Sequence, residues 1–279
     1  MIEIAGLTKR YGKITALDNV GLKFGEKGLN LIAGANGAGK TTMLLLIAGL
    51  IRQSAGKIRI RSKKIGMYVQ GASLCQNRTV RENLMLYSRH DLLAYKSGLT
   101  YFESAGLSQL LDKKVHELSS GLAKASYVLI AFSGEPDILL LDEPIAGLDP
   151  VLADKIIHFI KDYAKKKLLI MSSQSLRMAN LASGRIIVLH NGLVVLDSDI
   201  TKLRDENHTM RVVMEKAGHI VKIPGVFFCV NGNTIVFKYK KDLSSKIIGL
   251  LAHKGIKWLS KGNDIEQIVA EIIRKRENT

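Results

Sequence analysis

The sequence predicts an α/β fold, with a doubly wound core sheet, a helical insertion and a small α+β domain at its end. Three observations predict it. Short continuous apolar runs alternate with helix-length segments, as in parallel strands covered on both faces. One such run leads through a glycine-rich loop straight into an apolar helix. Between residues 74 and 132 the patterning turns wholly helical.

The elements follow in order. Residues 28–33 (GLNLIA) make the first core strand, and 43–50 the apolar helix behind the loop. Residues 65–69 make the next strand. Stretches 80–87, 92–105 and 122–132 form the insertion, which spans about 75–133. Apolar runs at 138–141, 168–171 and 186–189 return to the core sheet. Asn191-Gly192, set between 186–189 and 193–196, signals a two-residue hairpin. The polar stretch 204–209 then divides a domain over 1–205 from a smaller one over 210–279. The smaller one reads strand, hairpin at Asn231-Gly232, helix, strand, helix. Its last helix carries Ile265, Ile268, Val269, Ile272 and Ile273 on one face, expected to pack on the domain's own sheet, with Trp258 in the same core.

The chain has 279 residues, 47% of them apolar and 24% charged, enough for a large core and a small one, which excludes a disordered class. Two cysteines, Cys75 and Cys229, cannot form a disulfide framework, and the N-terminus lacks a secretory signal, so a reduced, cytosolic chain is expected. No apolar run reaches the ~20 residues of a membrane helix. Lys and Arg number 41 against 25 Asp and Glu, a net +16 that favours anionic partners. From Glu206 onward there are 13 Lys+Arg and 7 Asp+Glu, so the excess is spread along the chain and is not a basic tail. The seven histidines show no metal-ligand spacing.

Two constellations carry chemistry. Gly34-Ala35-Asn36-Gly37-Ala38-Gly39-Lys40-Thr41, followed by Thr42, fits G-x-x-x-x-G-K-[ST], the P-loop of nucleotide-binding proteins. Its glycines let backbone N–H groups turn toward phosphate oxygens, at the positive end of the following helix. Lys40 reaches the β- and γ-phosphates, and the Thr41 hydroxyl joins a Mg²⁺ shell. About a hundred residues on, the strand 138–141 delivers Asp142 and Glu143 to the carboxyl edge of the sheet, where open α/β sheets bind ligands. Asp142 is placed to hold Mg²⁺ and Glu143 to polarise a water for attack on the γ-phosphate.

With these in place, residues 1–205 resemble an ABC ATPase, the nucleotide-binding subunit of ABC transporters. Tyr11, in Lys-Arg-Tyr-Gly, matches the aromatic that stacks on adenine in that family. Gln70 matches the Q-loop glutamine, which the resemblance ties to Mg²⁺, to the γ-phosphate and to the helical insertion. Asp149, in Ala146-Gly147-Leu148-Asp149, matches the D-loop at the dimer interface. The resemblance implies a RecA-like P-loop core with an antiparallel β subdomain, and a head-to-tail dimer in which each ATP lies between two chains.

Two motifs depart from the pattern. The L-S-G-G-Q signature, which meets the partner's γ-phosphate, reads Leu118-Ser119-Ser120-Gly121-Leu122. Ser119 and Gly121 keep part of it, whereas Ser120 is expected to strain a backbone angle suited to glycine. The switch histidine is replaced by Gln174, in Ser172-Ser173-Gln174-Ser175. An amide can donate to a phosphate oxygen but carries no charge. Slow hydrolysis is therefore expected, with a non-hydrolytic, ATP-gated subunit as the competing reading.

The resemblance implies an ATP-hydrolysing subunit that docks on separate membrane-spanning permease subunits, peripheral on the cytoplasmic face of the cell membrane. The segment 72–78 falls where that family receives its permease. Pairing with a second copy or with another ABC ATPase both remain open. The small C-terminal domain resembles that of some exporters, which favours export over import. A soluble ATPase acting on nucleic acid or ribosomes is the alternative. It is disfavoured by the single P-loop, by the lack of a long coiled coil and by the lack of RNA-binding motifs.

Overall fold

A computed structural model describes residues 1–62, 64–175, 184–206, 208–214, 226–231, 234–239, 247 and 256–262. The chain falls into two compact units, Met1–Asp197 and Ser198–Thr279.

The first unit holds two sheets. The larger contains β3 (Gly28–Ala33), β5 (Ile65–Tyr68), β6 (Ile138–Asp142), β7 (Leu168–Ser173), β8 (Arg185–His190) and β9 (Leu193–Asp199). Their order is β5-β6-β7-β3-β8-β9, and every pair from β5 to β8 is parallel. All residues of β6 and β7 are buried, which is why they read as unbroken apolar runs. Between β8 and β9, Asn191 and Gly192 both take positive φ, +48° and +77°, as a two-residue I′-type hairpin requires.

The smaller sheet is antiparallel, ordered β2-β1-β4, with β1 spanning Ile2–Tyr11, β2 Ile14–Phe24 and β4 Ala55–Ile60. Individually these strands were invisible to a search for continuous apolar runs. Buried and exposed residues interleave along β1 and β2, and β4 has no fully buried residue. One core joins the sheets: Ile2, Leu7, Leu17 and Phe24 cluster with Leu44 and Ile47 of α1 (Lys40–Ile47) and with Leu140 and Ile170.

The insertion contains α2 (Val80–Tyr87), α3 (Leu92–Ser104) and α4 (Ser120–Ala131). A capping box starts α2: the Thr79 hydroxyl accepts from the Glu82 N–H, and the Glu82 carboxylate accepts from the Thr79 N–H at 2.7 Å. The close approach of α2 and α3 rests on Gly98, where a Cβ would stand 2.4 Å from Leu84 Cδ1. After β6, α5 (Pro150–Ala164) returns the chain to β7. Its apolar face buries Leu152, Ile156, Ile160 and Tyr163, and the Tyr163 hydroxyl donates to the Pro136 carbonyl.

The second unit contains α6 (Ile200–Glu206) and a four-stranded antiparallel sheet. Its strands are β10 (His208–Met214), β11 (Phe227–Asn231), β12 (Thr234–Tyr239) and β13 (Ile256–Gly262), in the order β11-β12-β10-β13. Phe237 and Tyr239, two apart on β12, are both buried, so one face of this sheet is covered. Gly232, the side chain of Trp258 and the apolar helix expected over 265–273 lie outside the described residues.

Candidate nucleotide site

The order β6-β7-β3 sets Asp142 opposite Ser172 and Ala33 opposite Ser173. The loop leaving β3, the carboxylates ending β6 and the polar end of β7 therefore emerge together at the carboxyl edge of the sheet.

Gly39 caps α1 with φ +102°, and a Cβ there would stand 2.4 Å from the Ala16 carbonyl oxygen of β2. The loop can approach the antiparallel sheet this closely only at glycine. Gly39→Ala is expected to lower stability by about 1–3 kcal/mol and to abolish nucleotide binding, which chemical denaturation and ATP titration would measure. A variant with native midpoint and native affinity would contradict this.

The first turn of α1 presents Lys40 and Thr41. Lys40 is 6% exposed, and its ammonium donates to the carbonyls of Gly34 at 2.9 Å and Ala35 at 3.1 Å. It also lies 3.8 Å from Glu143 Oε1, a charge contact too long for a hydrogen bond. The Thr41 hydroxyl sits 2.9 Å from Asp142 Oδ2 and 3.1 Å from Oδ1. Ala38 turns inward and is buried in the shared core.

Glu143 is held in an unusual way. Its backbone takes φ +51°, uncommon for a residue with a side chain, and the residue is 5% exposed. Burial pushes its carboxyl pKa up, while the Lys40 ammonium and the Gln174 N–H, which donates to it, pull it down. Burial likewise pushes Lys40 down, against the pull of Glu143 and Asp142. Glu143 Oε1 is a buried oxygen with no hydrogen-bond partner, so an acceptor of high appetite points into the site.

Ser172 has no assigned role in the sequence motifs, yet it links both carboxylates. Its hydroxyl donates to Asp142 Oδ1 at 2.5 Å and accepts from the Glu143 N–H at 2.9 Å. It is fully buried at the end of an apolar strand, and a polar residue in that position is the signal that could have found it. Ser172→Ala leaves the Glu143 N–H without this acceptor. It is expected to cost about 1–3 kcal/mol of stability, read from a denaturation midpoint, and to lower turnover. An unchanged midpoint would contradict the role.

Lys40, Thr41 and Glu143 line one cleft of about 300 Å³, while Asp142 and Ser172 are buried behind its wall. Tyr11, Gln70, Glu143 and Gln174 face Asn36, Gly37, Gly39, Lys40, Thr41 and Thr42 across it, and Ala16 completes the wall. Tyr11 is 46% exposed, with the Lys9 ammonium 4.7 Å from its ring centre. A cleft with a lysine, inward-turned backbone and a hydroxyl beside a carboxylate suits a polyphosphate chain with a hard cation.

Comparison with known proteins agrees with this geometry. The family model described as ABC transporter matches residues 17–146. The tyrosine transport ATP-binding protein of Clostridioides difficile (strain R20291) is 31% identical over 253 residues, covering 79% of this chain and 100% of that protein. The chain belongs to the ABC transporter family. The Nod factor export ATP-binding protein I of Mesorhizobium japonicum is 27% identical over 96% of this chain and 85% of its own length. Among solved structures, the dimeric post-hydrolysis state of the ATP-binding cassette MJ0796, bound to ADP and Pi, matches with a TM-score of 0.65. It is 26% identical over 72% of this chain and 99% of that one.

The remaining motif residues of this ABC ATPase lie away from the cleft. Ser119 caps α4, its hydroxyl oxygen accepting from the Leu122 N–H at 3.3 Å. Ser120 is the first residue of that helix and is not among the residues with positive φ, which corrects the expectation of strain there. Any residue takes a helical first turn, so the missing glycine has no backbone cost. Gly121 faces the neighbouring loop, where a Cβ would lie 3.8 Å from Leu148 Cδ2 and 3.9 Å from the Gly147 oxygen. Asp149 caps α5, accepting from the Leu152 N–H at 3.0 Å, with Pro150 at the first helical position. A lysine outside every motif, Lys124, donates to the Ala146 carbonyl at 2.5 Å.

Proposed function

We propose that this ABC ATPase binds ATP with Mg²⁺ in the cleft and hydrolyses it to drive export through separate membrane-spanning subunits. The observation that carries this reading is the convergence in one cleft of Lys40, of Thr41 backed by the Asp142 carboxylate, and of the unpartnered Glu143 oxygen.

The cation fits these residues. Mg²⁺ takes oxygen ligands, needs one or two carboxylates beside substrate phosphates, and keeps several waters. Thr41 and Asp142 offer that set, with Gln70 as a further oxygen on the cleft wall. When bound, Mg²⁺ neutralises charge on the β- and γ-phosphate oxygens.

This chain's own groups supply the rest. Lys40 moves its ammonium from the Gly34 and Ala35 carbonyls to the phosphates, exchanging neutral acceptors for charged ones. Glu143 accepts a hydrogen bond from the attacking water through its free oxygen. It takes the proton as the water oxygen bonds to the γ-phosphorus and the bond from phosphorus to the β–γ bridging oxygen breaks, ADP leaving with that oxygen. Its raised pKa makes it a better proton acceptor than an ordinary carboxylate. The Gln174 amide donates to a γ-phosphate oxygen where charge develops, while its backbone N–H fixes Glu143. Tyr11 offers a half-exposed ring for the base at the cleft mouth.

Ser119, Ser120 and Gly121 lie outside this cleft, which supports a dimer in which each chain's signature meets the nucleotide of the other. Among the described residues no helix is long and apolar enough to cross a membrane. In this reading the membrane path belongs to other polypeptides, on which the chain docks as a peripheral subunit. Export is favoured because the export relative aligns over 96% of this chain, second unit included, whereas relatives with import in their names align over 75% and 74%.

A tagged chain expressed in its own cell is expected in the membrane fraction, co-purifying with a multi-spanning protein that stimulates its ATP turnover. Recovery on ribosomes or nucleic acid at physiological salt, with no membrane partner, would overturn the transport reading.

A further inference from the structure

The loop that carries Glu143 is fastened to the signature helix by a lysine that belongs to none of the motifs named above. After Glu143 the chain turns back on itself: the Ala146 N–H donates to the Glu143 carbonyl at 3.4 Å and the Leu148 N–H to the Ile145 carbonyl at 3.2 Å. Gly147 follows with φ +76°. Of the two bonds inside the turn one is at the long end of the normal range and one beyond it, so contacts from outside bear on its position.

Lys124 makes one such contact. It lies in the second turn of α4, four residues after Ser120, and its ammonium reaches the Ala146 carbonyl at 2.5 Å. On the same helix a Cβ at Gly121 would stand 3.8 Å from Leu148 Cδ2 and 3.9 Å from the Gly147 oxygen, so the first turn of α4 lies beside this turn with room for little more than a methyl group. One side-chain bond thus joins α4 to the turn. Lys124 is half-buried and feels the charges of Glu143 and Asp142, which partly offset its loss of water.

We propose that Lys124 is a positioning residue that ties the turn behind Glu143 to the signature helix, so that a shift of α4 is transmitted to the water-activating carboxylate. The inference rests on the hydrolytic reading of Glu143 for its consequence, and on the Lys124–Ala146 bond for its substance. It predicts that losing the tether leaves ATP binding intact and harms the chemical step, since Lys40 and Thr41 sit on α1 and are untouched.

The test is hydrogen exchange of the peptide 144–149 in the full chain, together with ATP affinity and turnover, for Lys124→Met and Lys124→Arg. Methionine keeps the hydrocarbon stem and removes the donor. Exchange at Ala146 and Leu148 is expected to rise about tenfold, and kcat to fall roughly tenfold, with ATP affinity within about twofold. Arginine, which keeps charge and donor, is expected to restore much of both. Unchanged loop exchange in Lys124→Met, or a loss that follows affinity and spares kcat, would overturn the proposal. If the wild-type chain itself releases no phosphate, the hydrolytic reading fails, and loop exchange alone then decides whether the tether exists.

Discussion

Replacing Glu143 by glutamine lowers Mg²⁺-dependent ATP turnover by about 10²- to 10⁴-fold while ATP still binds. The substitution keeps the shape of the side chain and an oxygen able to accept the Gln174 N–H, so the wall of the cleft is preserved. What it removes is the ability to take a proton from water. Because burial already disfavours the charged carboxylate, the neutral amide is also expected to fold at least as well as the wild type, measured by thermal unfolding. Affinity for ATP should hold or rise, since a negative charge 3.8 Å from the Lys40 ammonium is removed from the phosphate site. Turnover within threefold of wild type would mean that another group activates the water, and Gln174 would then lose its assigned partner.

Replacing Lys40 by methionine acts on the other side of the reaction. The ammonium is buried and makes charge-assisted contacts that become contacts to phosphate when nucleotide binds. Loss of a desolvated charge opposite a polyphosphate costs about 2–5 kcal/mol, or on the order of 30- to 4,000-fold in affinity. Calorimetric titration with ATP measures it. Arginine is not expected to rescue, because the bulkier guanidinium must fit where the ammonium sits between two carbonyls of a tight loop. Wild-type affinity in Lys40→Met would show that the nucleotide lies elsewhere.

The two substitutions separate binding from chemistry because the sequence separates them, and this is also why both were legible there. The P-loop and the Asp142-Glu143 pair are contiguous motifs attached to strands, and a contiguous motif fixes its own geometry. Residues that act across the fold were harder to see. Ser172 reaches Asp142 and Glu143 only because β7 pairs with β6 in one particular register. Lys124 reaches Ala146 only because α4 lies beside the turn that follows β6. Neither proximity is encoded in spacing along the chain.

Two other differences have the same origin. Strands β1 and β2 interleave buried and exposed residues and β4 has none fully buried, and this weaker pattern leaves the antiparallel sheet to be inferred from resemblance alone. Ser120 was expected to carry strain because a glycine stands there in the family signature, but a helical first turn makes no such demand. The backbone angle with φ above zero falls instead on Glu143, a residue whose type gives no hint of it.

If the cleft between α1 and the end of β6 receives the phosphates of ATP, a crystal structure of the Glu143→Gln variant grown with ATP and Mg²⁺ shows it directly. The Lys40 ammonium is expected to leave the Gly34 and Ala35 carbonyls for the β- and γ-phosphates, with the cation beside the Thr41 hydroxyl and the Asp142 carboxylate. Nucleotide bound with Lys40 still on those two carbonyls, or with the cation away from Thr41 and Asp142, would contradict it.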